Sequence, residues 1–205
     1  LQEAIVQPFV EYFSRPEAIW VLAFILFYKI GDAMASTMTT PFYLDIAFSK
    51  TEIGSIVKLF GFWATIAGSL DGGLIYLKVG IYRSLWIFGV LQAISTAGFA
   101  LLAQIGHSVP ALAVVIAFEN LSSGMGTAAY AAFMASITNK KFTATQYALL
   151  TSLMGIPRVV ASAGTGFMAK YMGWTSFFIF CTLIAIPGLL MLLRIRHREA
   201  PGATG

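Results

Sequence analysis

The chain has 205 residues, of which 58% are hydrophobic and 11% are charged, and its formal net charge is +4. Soluble domains contain about one half apolar and about one quarter charged residues, so a water-soluble core could not hold this much apolar surface. The single cysteine, Cys181, excludes an intrachain disulfide and a cysteine-based zinc cluster. The basic residues lie beside the ends of apolar runs, which favours membrane orientation over nucleic-acid binding. We therefore expect membrane lipid around the chain and no nucleic-acid partner.

Windows of about twenty apolar residues predict six membrane-spanning helices with short connections. In chain order these are Ala18–Leu44, Glu52–Leu77, Ile81–Gln104, Pro110–Thr138, Thr143–Tyr171 and Trp174–Leu193. The predicted fold class is therefore all-α integral membrane. Residues 1–17 form a cytoplasmic lead-in of mixed polarity, residues 18–195 the six-helix domain, and residues 196–205 a basic cytoplasmic tail.

Signals at the helix ends support these bounds. Ser49–Glu52 and Thr143–Gln146 are capping boxes, in which a hydroxyl residue precedes Glu or Gln by three positions, and each predicts a helix start. Six crossings place both termini on one side, with the basic residues Arg15, Lys78, Arg83, Lys140, Lys141, Arg194, Arg196 and Arg198. Lys50 and Lys170 flank the other side. The positive-inside rule then predicts that both termini are cytoplasmic.

One pattern of polar residues occurs twice. An acid is followed by Ser, Met, Thr and Tyr at the same spacing from Asp32 to Tyr43 in span one and from Glu119 to Tyr130 in span four. The two capping boxes open spans two and five, so the last three helices repeat the first three. Because three is odd, the copies enter the membrane from opposite sides, as in the inverted repeats of six-helix transporter halves. We therefore predict two inverted three-helix repeats.

Six charged residues lie inside the predicted spans and away from their ends: Lys29, Asp32, Lys58, Asp71, Glu119 and Arg158. Each would cost about 2.5–3.5 kcal/mol at a helix centre unless it pairs or meets water, so such residues mark functional positions by default. At about 1.5 Å per residue, Asp32, Glu119 and Arg158 fall near mid-depth. We interpret them as lining one water-accessible passage.

Polar side chains accompany these charges on one side of three helices. Residues three and four positions apart share a helix face. The stripes contain Asp32, Ser36, Thr40 and Tyr43 in span one, Glu119, Thr127 and Tyr130 in span four, and Arg158 in span five. Close helix packing is an open alternative for the hydroxyl and glycine positions, because small residues commonly line helix contacts in membranes.

The loop between spans two and three resembles the signature of the major facilitator superfamily. That signature is Gly-x3-Asp-(Arg/Lys)-x-Gly-x-(Arg/Lys)-(Arg/Lys), and Gly73, Lys78, Gly80 and Arg83 stand at matching positions. A leucine replaces the acid of the signature and a tyrosine replaces one base, so the match is partial. A basic turn with a glycine is the alternative interpretation.

Over nearly its whole length the chain resembles the AmpG-type muropeptide permeases of Gram-negative bacteria, which are major facilitators. The most specific matches are Glu119-Asn120-Leu121 and the Gly-Met-Gly-Thr-Ala-Ala run at 124–129, and further ones include 28–32 and 144–146. The resemblance covers the C-terminal six helices of a longer pattern. It therefore implies half of a major facilitator fold, with an N-terminal six-helix half as the missing partner.

The resemblance also implies a function. Proteins of this kind are proton-coupled secondary transporters of the bacterial inner membrane. They import N-acetylglucosamine–anhydro-N-acetylmuramyl peptides from periplasm to cytoplasm for cell-wall recycling, which feeds β-lactamase induction. No cofactor or metal is expected, because the proton gradient would supply the energy. Asp32 and Glu119 are the proton-coupling candidates, since carboxyl groups in apolar sites can exchange protons near cellular pH.

The other polar candidates are assigned to the glycopeptide cargo. Muropeptides carry several carboxylates, which cationic side chains can pair, and sugars, which hydroxyl and aromatic groups can contact. The substrate-binding candidates are Lys29, Ser36, Thr40, Tyr43, Lys58, Asn120, Thr127, Tyr130, Gln146 and Arg158.

Two other classes of function stay open at this point. One is a major facilitator that carries another anionic solute, such as acetyl-CoA. The other is a membrane enzyme or scaffold, although both histidines lie outside the predicted spans and a scaffold would not need charges inside them. We therefore expect a transporter and not an enzyme.

Overall fold

The computed structural model describes residues 7–138 and 143–199, and these residues form helices without any strand. The helices are α1 (Gln7–Phe13), α2 (Ala18–Asp45), α3 (Lys50–Ile56), α4 (Phe62–Val79), α5 (Ile81–Ile105), α6 (Val109–Ile137), α7 (Thr143–Met172), α8 (Trp174–Ile184) and α9 (Ile186–Glu199). A π-helical segment, Val57–Gly61, joins α3 directly to α4. The predicted basic positions Lys140 and Lys141 lie outside the described residues, and so do the side chains of Arg158, Arg196 and Arg198.

The predicted spans agree with the helices to within a few residues. Among the described residues, five helices are long and apolar enough to cross a membrane: Ala18–Asp45, Lys50–Val79, Ile81–Ile105, Val109–Ile137 and Trp174–Ile195. The predicted fifth span is α7, which has 30 residues but is less apolar and is not among these five. The all-helical membrane fold is therefore confirmed, whereas the count of six crossings and the inverted repeat stay predictions.

The helix ends follow local sequence signals. Gly80 and Gly173 each form a one-residue turn between two helices, with φ of 83° and 75°, a left-handed conformation that residues with a Cβ rarely adopt. The first capping box is confirmed. The Glu52 amide donates to Ser49 Oγ at 3.2 Å, and the Ser49 amide donates to Glu52 Oε2 at 2.8 Å.

Helices α4 and α6 cross with their backbones in contact. A Cβ atom on Gly68 would lie 2.2 Å from the Leu121 carbonyl oxygen, and one on Gly72 would lie 2.6 Å from the backbone of α6. Gly124 completes the contact from α6, since a Cβ there would lie 2.7 Å from the Thr65 carbonyl oxygen. Small residues therefore serve close helix packing on this side of the bundle.

Two aromatic clusters fill the two ends of the bundle. We call the end with Arg15, Lys78, Arg83 and Arg194 the basic end. The cluster at this end packs Phe24 of α2 against Phe133 of α6, with ring centroids 5.2 Å apart. The cluster at the opposite end packs Phe42 of α2 against Phe178 of α8 at 4.9 Å. The residues between the two clusters on α2, α5 and α6 are polar, and they form the candidate site.

Helix α1 lies across the ends of two other helices at the basic end. Arg15 Nη1 donates to the Ile137 carbonyl oxygen at the end of α6, at 2.6 Å, and Arg15 pairs with Glu11 at 2.9 Å. The Gln146 amide, near the start of α7, donates to the Glu11 carboxylate and to the Pro8 carbonyl oxygen. Helix α1 thus connects the helix ends on both sides of residues 139–142.

Candidate functional site

A buried ion pair occupies the polar layer between the two aromatic clusters. Lys29 Nζ lies 3.2 Å from Asp32 Oδ2, one turn further along α2, and both side chains are largely buried. The same ammonium group donates to Gln92 Oε1 of α5 at 3.4 Å. Unpaired charges at this depth would be expensive, so the pairing is what allows Lys29 and Asp32 to lie inside the bundle.

Glu119 brings a second acid to the same place from α6. Its carboxyl group interacts with that of Asp32, and its Oε2 accepts a hydrogen bond of 2.5 Å from Ser95 Oγ of α5. We call Lys29, Asp32, Gln92, Ser95 and Glu119 the charged cluster. It joins three helices and combines two acids with one base among its described side chains.

The two acids open onto a cavity of about 330 Å³. The cavity extends from the charged cluster toward the end of the bundle opposite the basic end. Its polar lining is Asp32, Ser36, Thr39, Thr40 and Tyr43 of α2 and Glu119, Asn120 and Ser123 of α6, and its apolar lining is Ile53, Val57, Phe99 and Ile116. The predicted shared cleft of Asp32 and Glu119 is therefore present, together with Ser36, Thr40, Tyr43 and Asn120.

The polar groups of this lining are held in fixed orientations. Asn120 Nδ2 donates to the Ile116 carbonyl oxygen at 2.8 Å, and Asn120 Oδ1 accepts from Thr65 Oγ1 of α4 at 3.1 Å. Ser36 Oγ donates to the Ala33 carbonyl oxygen at 3.1 Å. Because its proton is used by the backbone, the Ser36 hydroxyl offers the cavity an acceptor.

Besides Lys29, four predicted binding residues do not line this cavity. Tyr130 is fully buried, donates its hydroxyl to the Ile25 carbonyl oxygen at 2.6 Å and stacks on Tyr28. Gln146 is fully buried against α1. Thr127 and Lys58 are exposed on other surfaces.

Lys29 and Arg158 are the two remaining cationic candidates. Lys29 lies behind Asp32 and does not line the cavity itself, so it reaches the site through the carboxylate. Arg158 lies on α7, but its side chain is outside the described residues.

The residues of the loop signature lie at or near the basic end of α4 and α5 and do not line the cavity. Gly80 provides the turn between α4 and α5, and Lys78 and Arg83 are exposed on either side of it. Gly73 has open space around the position of a Cβ atom. The signature residues therefore belong to a turn and not to the cavity.

Sequence reasoning missed two members of the charged cluster, Gln92 and Ser95. Both are uncharged, so the cost of placing charge inside a membrane, which identified the two acids, did not identify them. Their spacing of three residues on α5 was the available signal, because it places both side chains on one helix face.

The cluster is suited to holding and moving charge. Within residues 7–138 and 143–199, no group of three or more His, Cys, Asp or Glu side chains could hold a metal ion. Long apolar helices around a cavity lined by paired charges define the class of membrane transporters, in which charges inside the membrane mark ion and substrate pathways.

Comparison with known proteins agrees with this class. A model of the Major Facilitator Superfamily matches residues 19–205. The chain belongs to this superfamily, a family of transporters and not of enzymes.

Several curated relatives are similar over most of the chain. It is 39% identical to the anhydromuropeptide permease of Escherichia coli strain K12, over 96% of this chain and 40% of that protein. It is 43% identical to an uncharacterized protein of Haemophilus influenzae, over 90% of this chain and 46% of that protein. A putative transporter AmpG 4 of Rickettsia felis is 35% identical, over 95% of this chain and 47% of that protein. The chain thus spans less than half the length of these relatives.

Proposed function

We propose that this chain forms one half of a proton-driven permease that imports anhydro-muropeptides across the bacterial inner membrane. The observation that carries the proposal is the open cavity with Asp32 and Glu119 side by side at its floor. The name of the E. coli relative, an anhydromuropeptide permease, supports the choice of cargo by similarity. The energy source in this proposal is the proton gradient, and no cofactor is required.

The charges of the cluster support proton coupling. Two carboxyl groups and one ammonium group leave one negative charge without a partner, and two carboxylates in contact repel each other strongly in an apolar site. One proton bound to the two carboxyl groups would neutralise the unpaired negative charge and remove the repulsion between the carboxylates. Asp32 and Glu119 together are therefore the proposed proton-binding unit, and neither acid is assigned the role alone.

The cavity suits a glycopeptide by its chemistry. Its α2 wall presents the hydroxyl groups of Ser36, Thr39 and Thr40 and the aromatic ring of Tyr43, which are the usual partners of sugar hydroxyl groups and sugar faces. The peptide carboxylates of the cargo would need a cationic partner, for which Arg158, identified from the sequence, is the proposed candidate.

A second six-helix half is the proposed partner. The chain spans 40–47% of the length of the relatives above, and the cavity is open where a facing half would close it. Helix α4 also exposes a stripe of large apolar side chains, including Trp63, Leu70 and Leu77, which lipid or the second half would cover.

The basic end supports the proposed orientation, with both termini of this segment in the cytoplasm. The Arg194 guanidinium lies 4.1 Å from the ring centroid of Trp20, near the start of α2, so the two helices that begin and end the bundle bring a cation and an aromatic ring to the same interface. Basic and aromatic residues are typical of the cytoplasmic membrane surface.

Uptake of a labelled N-acetylglucosamine–anhydro-N-acetylmuramyl tripeptide, measured in vesicles with an imposed pH gradient, tests the proposal. The complete gene product is used. We expect Asp32→Asn and Glu119→Gln each to lower gradient-driven uptake by about 100-fold or more, as for other positioned proton-transfer groups. Asp71→Asn is the matched control, because Asp71 is an exposed acid on α4 outside the cavity, and we expect it to retain uptake.

Two outcomes would contradict this function. Uptake that is unaffected by both substitutions would remove the acids from proton coupling. Uptake that unlabelled acetyl-CoA suppresses more strongly than unlabelled muropeptide would favour the other cargo class.

A further inference from the structure

Helix α5 contributes two residues to the charged cluster, Gln92 and Ser95, on the side of the acids away from the cavity. Gln92 and Ser95 are 5% and 1% exposed and lie one turn apart, and each reaches a different charged residue. Gln92 Oε1 accepts from Lys29 Nζ, whereas Ser95 Oγ lies within hydrogen-bond distance of both Glu119 Oε2, at 2.5 Å, and the Gln92 carbonyl oxygen, at 2.9 Å. The shorter distance is the one to the Glu119 carboxyl group. The cavity itself is lined by Phe99 alone among the described residues of α5, so neither polar side chain faces the cargo space.

The surroundings of Gln92 fix its position. A Cβ atom on Gly126 of α6 would lie 2.7 Å from Gln92 Oε1, so α6 has room for the amide only because residue 126 is a glycine. Any larger residue there would push the amide away from Lys29. The glycine on α6 and the amide on α5 therefore fit each other directly beside the ion pair.

The other end of the same amide is not well satisfied. Gln92 Nε2 is buried and has no hydrogen-bond partner at normal distance in the described part of the chain, although it lies near Asp32. Burying an unsatisfied polar atom is costly, so an apolar residue would serve packing better at this position. The cost indicates that the amide is retained for the ion pair.

We propose that Gln92 and Ser95 are positioning residues that hold Lys29 and Glu119 in the arrangement needed for proton coupling. The inference rests on the proposed function and adds two residues that do not touch the cargo. Gln92 holds the ammonium group so that Asp32 keeps its cation. Ser95 holds one oxygen of Glu119, which leaves the other oxygen free to face Asp32. The coupling of proton movement to cargo uptake then depends on α5, while cargo binding depends on α2 and α6.

This division predicts a specific kinetic phenotype. Ser95→Ala and Gln92→Met should each lower gradient-driven uptake of the labelled tripeptide by about tenfold, the loss expected for one hydrogen bond to a charged group. The apparent KM should change by less than about twofold, and exchange of labelled for unlabelled cargo without a gradient should persist, because the cavity lining is intact. Ser95→Thr, which keeps the hydroxyl group, should restore uptake.

Two residues of α5 provide matched controls. Ser84 is another buried serine, but its hydroxyl donates to the Gly80 carbonyl oxygen of the helix turn, and Gln104 is an exposed glutamine. We expect Ser84→Ala and Gln104→Met to leave uptake unchanged. Unchanged uptake in Ser95→Ala and Gln92→Met would overturn the inference, and so would an equal loss of uptake and exchange, which indicates a purely structural role.

A second measurement separates this inference from the choice of cargo. If the wild-type protein does not carry the tripeptide, the proposed function fails, but thermal unfolding of Ser95→Ala, Glu119→Gln and the double variant still tests the contact. We expect the melting temperature of the double variant to differ by about 2 °C or more from the sum of the single shifts. Additive shifts would overturn the inference whatever the cargo is.

Discussion

The same polar pattern has opposite surroundings in its two copies. From Asp32 the pattern runs along α2 toward the opposite end, and Ser36, Thr40 and Tyr43 all line the cavity, although Tyr43 is only 4% exposed and also packs in the aromatic cluster at that end. From Glu119 it runs along α6 toward the basic end, where Tyr130 is fully buried in an aromatic cluster. The two acids meet, but the residues that follow them point away from each other along the bundle.

The difference shows that the cavity extends from the charged cluster toward one end of the bundle, the end opposite the basic end. Apart from Ser123, one turn beyond Glu119, its lining lies at the charged cluster or in the direction of Tyr43. Most of the first copy therefore faces the cavity, while Tyr130 of the second copy is packed inside the bundle. This is the arrangement expected of a transporter open to one side, in which the symmetry-related residues of the other copy are packed. Stability and transport measurements on paired residues can test this asymmetry.

The largest expected effect concerns the cluster that both copies share. Lys29→Met leaves Asp32 buried without its cation, and breaking a buried ion pair in this way costs about 3–5 kcal/mol of unfolding free energy. Thermal unfolding in detergent measures the loss. Lys170→Met, at an exposed lysine of α7, should change stability by less than about 0.5 kcal/mol. A Lys29→Met protein as stable as wild type would show that the ion pair does not stabilise the bundle.

The next effect separates the two tyrosines. Tyr130→Phe removes the hydroxyl that donates to the Ile25 carbonyl oxygen, which keeps its hydrogen bond within α2. The change should cost about 1.5 kcal/mol of unfolding free energy, the upper part of the range for one hydrogen bond between neutral groups. Tyr43→Phe should cost less than about 0.5 kcal/mol but should weaken cargo binding, seen as a higher apparent KM for uptake. If both variants lose stability equally and bind cargo equally, the asymmetry between the copies is wrong.

The smallest effect concerns the capping box that opens α3. Ser49→Ala removes the side-chain acceptor of the Glu52 amide and should cost about 1 kcal/mol of unfolding free energy. Ser55→Ala is the control, since the Ser55 hydroxyl only donates to backbone carbonyls of its own helix, and its effect should be within about 0.5 kcal/mol. Equal melting temperatures for the two variants would indicate that the cap contributes nothing measurable.

The sequence predicted those parts of the structure that local chemistry determines. The apolar runs defined the long helices, the Ser49–Glu52 pattern defined a helix start, and the cost of charge in hydrocarbon identified Asp32 and Glu119. The fold class and the family followed from these features and from the resemblance, and both are now shown.

The position of a side chain along the bundle and its contacts with other helices could not be predicted in the same way. Tyr130 shares a helix face with Glu119 but lies about 16 Å further along the axis, so helical periodicity alone placed it in a cavity that ends before reaching it. Gln146 matches a capping pattern, yet its amide contacts α1 across 135 positions of sequence. Gln92 and Ser95 carry no formal charge, so only the contact between α5 and the ion pair reveals them.

The π-helical segment Val57–Gly61 has a consequence for how this wall of the bundle can change. A π turn contains one residue more than an α turn, and each residue rotates a helix by about 100°. Ile53 and Val57 face the cavity while Gly61, one turn on, packs against Asn120. Deleting a single residue between Val57 and Gly61 would restore a regular helix. The deletion would rotate Ile53 to another helix face and leave α4 unchanged. The extra residue of the π-helical segment therefore determines which side chains of α3 line the cavity.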